Sequence, residues 1–175
     1  PNSDHLNLAV AGIEPTSRGH IPVDDCCQTS VEGVFAIGDV NGNGAFTHTS
    51  VHDSEVVLDY MFGGPRRVSA RNPIHGLFTD PPLGRVGLTE KEALDQGIRL
   101  LKGTKSMKTI NRAKEMGETN GFAKLLVDAD TDQIVGATLI GPGADEIVNM
   151  FAALMQANVT TATFRQTVLV HPTVS

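Results

Sequence analysis

The sequence predicts an α+β fold, on three observations. Residues 74–175 group strands first and helices after, without strict strand–helix–strand alternation. A helix-capping box and a hairpin turn punctuate that region at fixed places. The 175 residues are 40% hydrophobic and 19% charged, enough to bury a core and unlike a disordered chain.

The first third reads as α/β. Ile21-Pro22-Val23-Asp24 is a short extended piece. Val34-Phe35-Ala36-Ile37 is a continuous apolar run, expected as a strand buried on both faces. The turn Asn41-Gly42-Asn43-Gly44 leads to a helix over about 49–62, with Val51, Val57, Leu58, Met61 and Phe62 expected on its buried face. Gly63-Gly64-Pro65 stops it, since glycine accepts left-handed dihedrals and proline cannot continue a helix. Residues 66–73, rich in arginine, read as a linker.

Beyond the linker, 74–79 and 85–88 are expected strands, and Thr89-Glu90-Lys91-Glu92 opens a helix that Gly97 closes. Residues 98–107 form a further strand, and 122–127 and 134–140 flank a hairpin turn. Asp145 to Ala157 spaces Ile147, Val148, Phe151, Leu154 and Met155 as a helix does. Ile147, Phe151 and Met155 serve either the domain's own core or a subunit contact. A short helix over about 161–167 ends the pattern.

Charge and cysteine content narrow the function. With 14 Lys+Arg against 20 Asp+Glu, the net charge of −6 lacks the basic footprint of sequence-independent nucleic-acid binding. No apolar run approaches the ~18–20 residues of a membrane-spanning helix. Two cysteines do not make a disulfide framework, and no basic-plus-apolar leader opens the chain, so the cytoplasm is the expected location. A first residue Pro1 and an abrupt end at Ser175 suggest a segment of a longer polypeptide.

Several residues could carry chemistry. Gly38-Asp39 ends the apolar run, and open α/β sheets bind ligands outside such strand ends. A carboxylate there can accept hydrogen bonds from sugar or ribityl hydroxyls, and the following helix offers a partial positive charge. The competing assignment for Asp39 is a plain turn or cap residue. His171-Pro172 holds an imidazole, whose reference pKa near 6.5 suits proton transfer in both directions. Cys26-Cys27 is a vicinal pair, but adjacent residues of an extended strand point to opposite faces. Asp39 to Gly44 resembles the opening of a calcium loop, yet position twelve is Ser50 and not the required Glu. His48 and His52 share a helix spacing without an evident third ligand, so no metal is expected.

The order of short segments adds a resemblance. Pro1-Asn2, Gly19-His20-Ile21-Pro22-Val23-Asp24, Thr29 and Val34-Phe35-Ala36-Ile37-Gly38-Asp39-Val40 resemble the late flavin-domain segment of pyridine nucleotide-disulfide oxidoreductases. Phe78-Thr79-Asp80-Pro81-Pro82, Arg85-Val86-Gly87-Leu88-Thr89-Glu90, Arg112-Ala113-Lys114 and Gly121-Phe122-Ala123-Lys124 are similar to that family's dimerisation domain. So are residues 132–137, 140–146 and 171–173.

The resemblance implies that residues 1–65 are the C-terminal piece of an FAD-binding domain and 74–175 the dimerisation domain. It implies FAD contacts at Gly38, Asp39, His48, Thr49 and Ser50, the last three by position only, because Thr49-Ser50 departs from the family's pattern. It implies that His171 acts as acid/base for the redox cysteines of the other subunit in a homodimer. Electrons would pass from NAD(P)H through FAD to a small-molecule or disulfide substrate. The nucleotide fingerprint and a four-spaced cysteine pair are not in this sequence, so the segment alone is not expected to turn over. Two alternatives stand: a flavin-free dimerisation module, and, within the family, a mercuric reductase.

Overall fold

The computed structural model describes residues 1–175. The chain divides into two compact units, Pro1–Arg71 and Asn72–Ser175.

The first unit is mostly turns around a small core of Ile13, Ile21 and Ala36, against which Leu8, Val23, Val31 and Val40 pack. Its one long element is α1, Thr47–Met61, preceded by a 3-10 turn, Gly38–Asn41. Two expectations fail here. The run 34–37 is not a strand: its ladder contact is a single bridge between Gln28 and Phe35, and Val34 and Ile37 are 38% and 45% exposed. A strand is defined by its neighbours, and an apolar run without them stays irregular. Helix α1 also buries a different face from the one expected. Thr49, Asp53 and Val56 are buried, whereas Val51, Leu58, Met61 and Phe62 are exposed. Residues 66–71 of the expected linker are tied to the first unit. Ser69 bonds the Asp25 carboxylate through its amide (2.7 Å) and hydroxyl (2.6 Å), and Arg71 bonds Asp53.

The second unit is a five-stranded antiparallel sheet with helices. Its strands are β1 (Ile74–Leu77), β2 (Leu83–Gly87), β3 (Leu100–Ser106), β4 (Phe122–Asp128) and β5 (Ile134–Ile140), in spatial order β1-β2-β5-β4-β3. The hairpin β4–β5 pairs Phe122 with Ile140 and Leu125 with Ala137, with a bulge at Leu126/Val127. Between β2 and β3, α2 (Glu90–Asp95) starts with the expected capping box: Thr89 Oγ1 accepts the Glu92 amide at 3.0 Å, and Glu92 accepts the Thr89 amide at 2.7 Å. A short helix α3 (Asn111–Met116), absent from the sequence reading, ends at Gly117 with φ of 74°. Helix α4 (Ala144–Gln156) is followed by α5 (Thr161–Phe164), whose cap includes the Asp132 carboxylate accepting the Ala162 amide at 2.9 Å.

Helix α4 closes the core. Ala144 and Val148 are buried against Val86, Ala137 and Leu139, with Ile147, Phe151 and Met155 packed on that cluster. The apolar stripe of α4 therefore serves the domain's own core. Close approach is built in at Gly84 of β2, where a Cβ would lie 2.8 Å from that of Val148. Strand β3 is an edge, mostly exposed and carrying Lys102 and Lys105, charges that discourage pairing with another edge.

Candidate functional sites

The turn Gly38–Asn41 is held by one buried carboxylate. Asp53 is 1% exposed. Its Oδ2 accepts the Gly38 amide at 2.9 Å and the Asn41 side-chain amide at 2.9 Å. Its Oδ1 accepts Arg71 Nη1 at 2.8 Å. Asn41 Nδ2 also donates to the Ala36 carbonyl at 3.1 Å, and Asn41 Oδ1 accepts the Asn43 amide at 2.8 Å. Arg71 donates to the carbonyls of Thr49 (3.2 Å) and Asn43 (3.1 Å) as well. Beside it, His52 is pushed below the usual imidazole range, first by burial and then by the Arg71 and Arg66 charges.

Gly38 has φ of 76°, and a Cβ there would lie 2.7 Å from Ser50 Oγ. The glycine is thus required by the protein's own helix, as well as by its left-handed backbone. Asp39 is exposed on the same turn. His48 is exposed and stacks on Phe46, with ring centroids 5.3 Å apart. Thr49 is buried, its hydroxyl donating to the Phe46 carbonyl at 2.6 Å. Ser50 is half-buried. The amides of Thr49 and Ser50 both donate to the Phe46 carbonyl, at 2.9 and 3.1 Å. What the first turn of α1 offers at these two residues is therefore its dipole, because their amides are already engaged.

Cys26 and Cys27 sit in a turn, not on a strand, and both are buried free thiols. Asp24 Oδ1 accepts the amides of Cys26 (2.8 Å) and Gln28 (2.9 Å), and Cys27 has φ of 62°. Burial first, and the Asp53 charge second, push the Cys27 thiol up from 9.0 to about 11. A thiol this reluctant to ionise is a poor nucleophile. Its folded value lies above its unfolded one, so its stabilising contribution is complete below about pH 9 and is lost as pH rises through 11. Cys27 is accordingly expected to resist alkylation at pH 8 until the protein is unfolded. Cys27→Ser should flatten part of the stability loss between pH 9 and 11, measured as urea midpoints. Rapid labelling of the native protein at pH 8 would contradict this.

The turn Asn41–Gly44 spends Asn41 on the protein's own backbone and on Asp53. No group of three His, Cys, Asp or Glu side chains is placed to hold a metal. In the second unit, His171 is exposed in the irregular tail after α5. Downstream of it, Thr173 Oγ1 donates to the Val170 carbonyl at 2.9 Å.

Comparison with known proteins accounts for both units. A family model described as pyridine nucleotide-disulphide oxidoreductase, dimerisation domain, matches residues 75–175. The chain belongs to the pyridine nucleotide-disulphide oxidoreductase family. A second model of the same family matches residues 1–54. Dihydrolipoyl dehydrogenase 3 of Haloarcula marismortui is 33% identical over 175 residues, covering 100% of this chain and 37% of the relative. Dihydrolipoyl dehydrogenase of Geobacillus stearothermophilus is 34% identical over 173 residues, covering 99% and 37%. The flavoprotein disulfide reductase RclA of Escherichia coli, solved as a Cu(II) complex, superposes with a TM-score of 0.91 at 33% identity. That match covers 99% of this chain and 41% of RclA. LpdA of Mycobacterium tuberculosis shares the fold with a TM-score of 0.88 at 23% identity. The chain thus spans about two fifths of such relatives or less.

The family is FAD- and NAD(P)H-dependent, and the residues present suit part of a flavin. An exposed carboxylate is an acceptor for sugar-alcohol hydroxyls, and the head of the 15-residue α1 carries partial positive charge for an electron-rich ring. Of the residues that hold the turn, Asp53 and Arg71 were not singled out from the sequence, and Asn41 was read only as part of a turn and of a calcium-loop pattern. The available signal was the 49, 53, 56 spacing, which aligns Asp53 with Thr49 and Val56 on one helix face.

Proposed function

We propose that this chain is the flavin-contact and interface portion of an FAD-dependent NAD(P)H:disulfide-type oxidoreductase that works as a cytoplasmic homodimer. The observation that carries the reading is the fixed turn Gly38–Asn41, with Asp39 exposed next to the start of α1. Asp39 would accept a hydrogen bond from a ribityl hydroxyl. Gly38 lets the turn close against Ser50, and the first turn of α1, His48 to Ser50, would present its dipole to an electron-rich ring. A bound flavin would supply the two-electron chemistry linking NAD(P)H to a cysteine pair. His171 serves the partner subunit's cysteines. It accepts a proton from a thiol that becomes the attacking thiolate and returns it to the thiolate that leaves. The balance is one disulfide, one NAD(P)H and one proton giving two thiols and NAD(P)+.

The similarity to dihydrolipoyl dehydrogenases and to a disulfide reductase favours a disulfide or dihydrolipoyl-type substrate over mercuric ion. The test uses the full-length polypeptide that contains this segment. It is expected to purify yellow and dimeric, and to bleach when NAD(P)H is added without oxygen. A colourless dimer that takes up no FAD would instead support a flavin-free association module.

A further inference from the structure

We infer that Asp53, with Asn41 and Arg71, is the positioning group that sets where Asp39 stands relative to the head of α1. The inference rests on the flavin reading above and deepens it.

The turn, helix α1 and the segment carrying Arg71 meet at this carboxylate. The start of the turn is held through the Gly38 amide, its end through Asn41 Nδ2, and the helix supplies Asp53 itself. Arg71 extends the grip to the Asn43 carbonyl in the following loop and to the Thr49 carbonyl in the first turn of α1. Residues 38–49, which include Asp39 and His48, are thus clamped at both ends by one carboxylate–guanidinium pair, Asp53 holding Gly38 and Arg71 holding Thr49.

Stability is a weak reason for such a pair. Removing two charges from water costs about what their attraction returns, and packed apolar side chains would do as well. What a buried pair with satisfied hydrogen bonds supplies is a fixed geometry, as a ligand-binding turn requires. No buried polar side-chain atom lacks a partner, so the network is complete. Asp39 is itself exposed and in a 3-10 turn, where its position depends on what holds the ends of that turn.

The experiment compares full-length wild-type protein with Asp53→Asn and Arg71→Lys. In Asp53→Asn an NH2 group must face one of three donors, so one end of the clamp opens. FAD affinity is expected to weaken by roughly tenfold or more, with an altered visible circular dichroism of the bound flavin. Arg71→Lys keeps the charge but loses the fork, and should show a smaller shift in the same direction. A merely structural role would lower the unfolding temperature and leave the flavin's visible dichroism as in wild type. If Asp53→Asn does not fold, Arg71→Lys and Arg71→Gln decide alone by the same two readouts. Variants that bind FAD within about twofold of wild type, with unchanged dichroism, overturn the inference while leaving the flavin reading intact. A wild-type protein that binds no FAD overturns both.

Discussion

On the proposed reading, His171→Ala in the full-length protein is expected to lower turnover by about 10²–10⁴-fold while leaving flavin content and folding unchanged. The expectation follows from what thiol–disulfide exchange needs. A thiol attacks as its thiolate, and the departing sulfur is best released as a thiol, so one group must take and give a proton within a cycle. His171 lies in a solvent-exposed tail, where losing its ring removes little packing, so the unfolding free energy should change by less than about 0.5 kcal/mol. The defect should also be confined to one half-reaction. Flavin reduction by NAD(P)H, followed by stopped flow without oxygen, should keep its wild-type rate, while oxidation by the disulfide substrate slows. Mixing His171→Ala subunits with subunits lacking their redox cysteines should leave one active site per mixed dimer intact. Full turnover in the variant, or activity in a strictly monomeric form, would remove the proton-transfer role from this residue.

How much of this was legible in the sequence depended on how local each determinant is. Strand β5 has the same bounds as expected, 134–140, and the capping box at Thr89–Glu92 forms as read, because each is set by residues within a few positions. The α4 stripe was equally readable, since 3.6-residue spacing fixes which side chains share a face. The run 34–37 was misread because burial on both faces needs neighbours that no local pattern supplies. Helix α1 was misread for a related reason. Its apolar residues are scattered around the helix, and the face that packs inward carries a carboxylate. Asp53 becomes a core residue only through Asn41, twelve positions away, and Arg71, eighteen positions away. A buried charge is invisible to hydrophobic pattern reading until its partner is known. Asp39 and His171 stand out as candidates in the sequence for the opposite reason: both lie exposed in short local motifs.

The largest structural effect is expected from adding a single methyl group. Gly121→Ala should destabilise the second unit by about 2–6 kcal/mol, against a typical total of about 5–15. Gly121 has φ of 118°, a backbone region closed to most side chains. A Cβ built there would collide with the carbonyl group of Ile140 and lie 3.2 Å from the Gly141 amide nitrogen. Those atoms are backbone and cannot swing aside as a side chain tip can. Relief would require shifting the end of β5 from β4 where Phe122 pairs with Ile140, or releasing the Met107 amide from the Gly121 carbonyl at 3.1 Å. Gly103 on the neighbouring β3 is the internal control. Nothing lies within 4 Å of a Cβ there, and Gly103→Ala should change stability by less than about 0.5 kcal/mol or raise it slightly, since glycine weakens a strand interior. Urea midpoints for the two variants, compared with wild type, separate a steric requirement at Gly121 from a general intolerance of the sheet. Equal midpoints would mean that the β4–β5 end yields far more easily than its contacts imply, and that the register there is held from elsewhere.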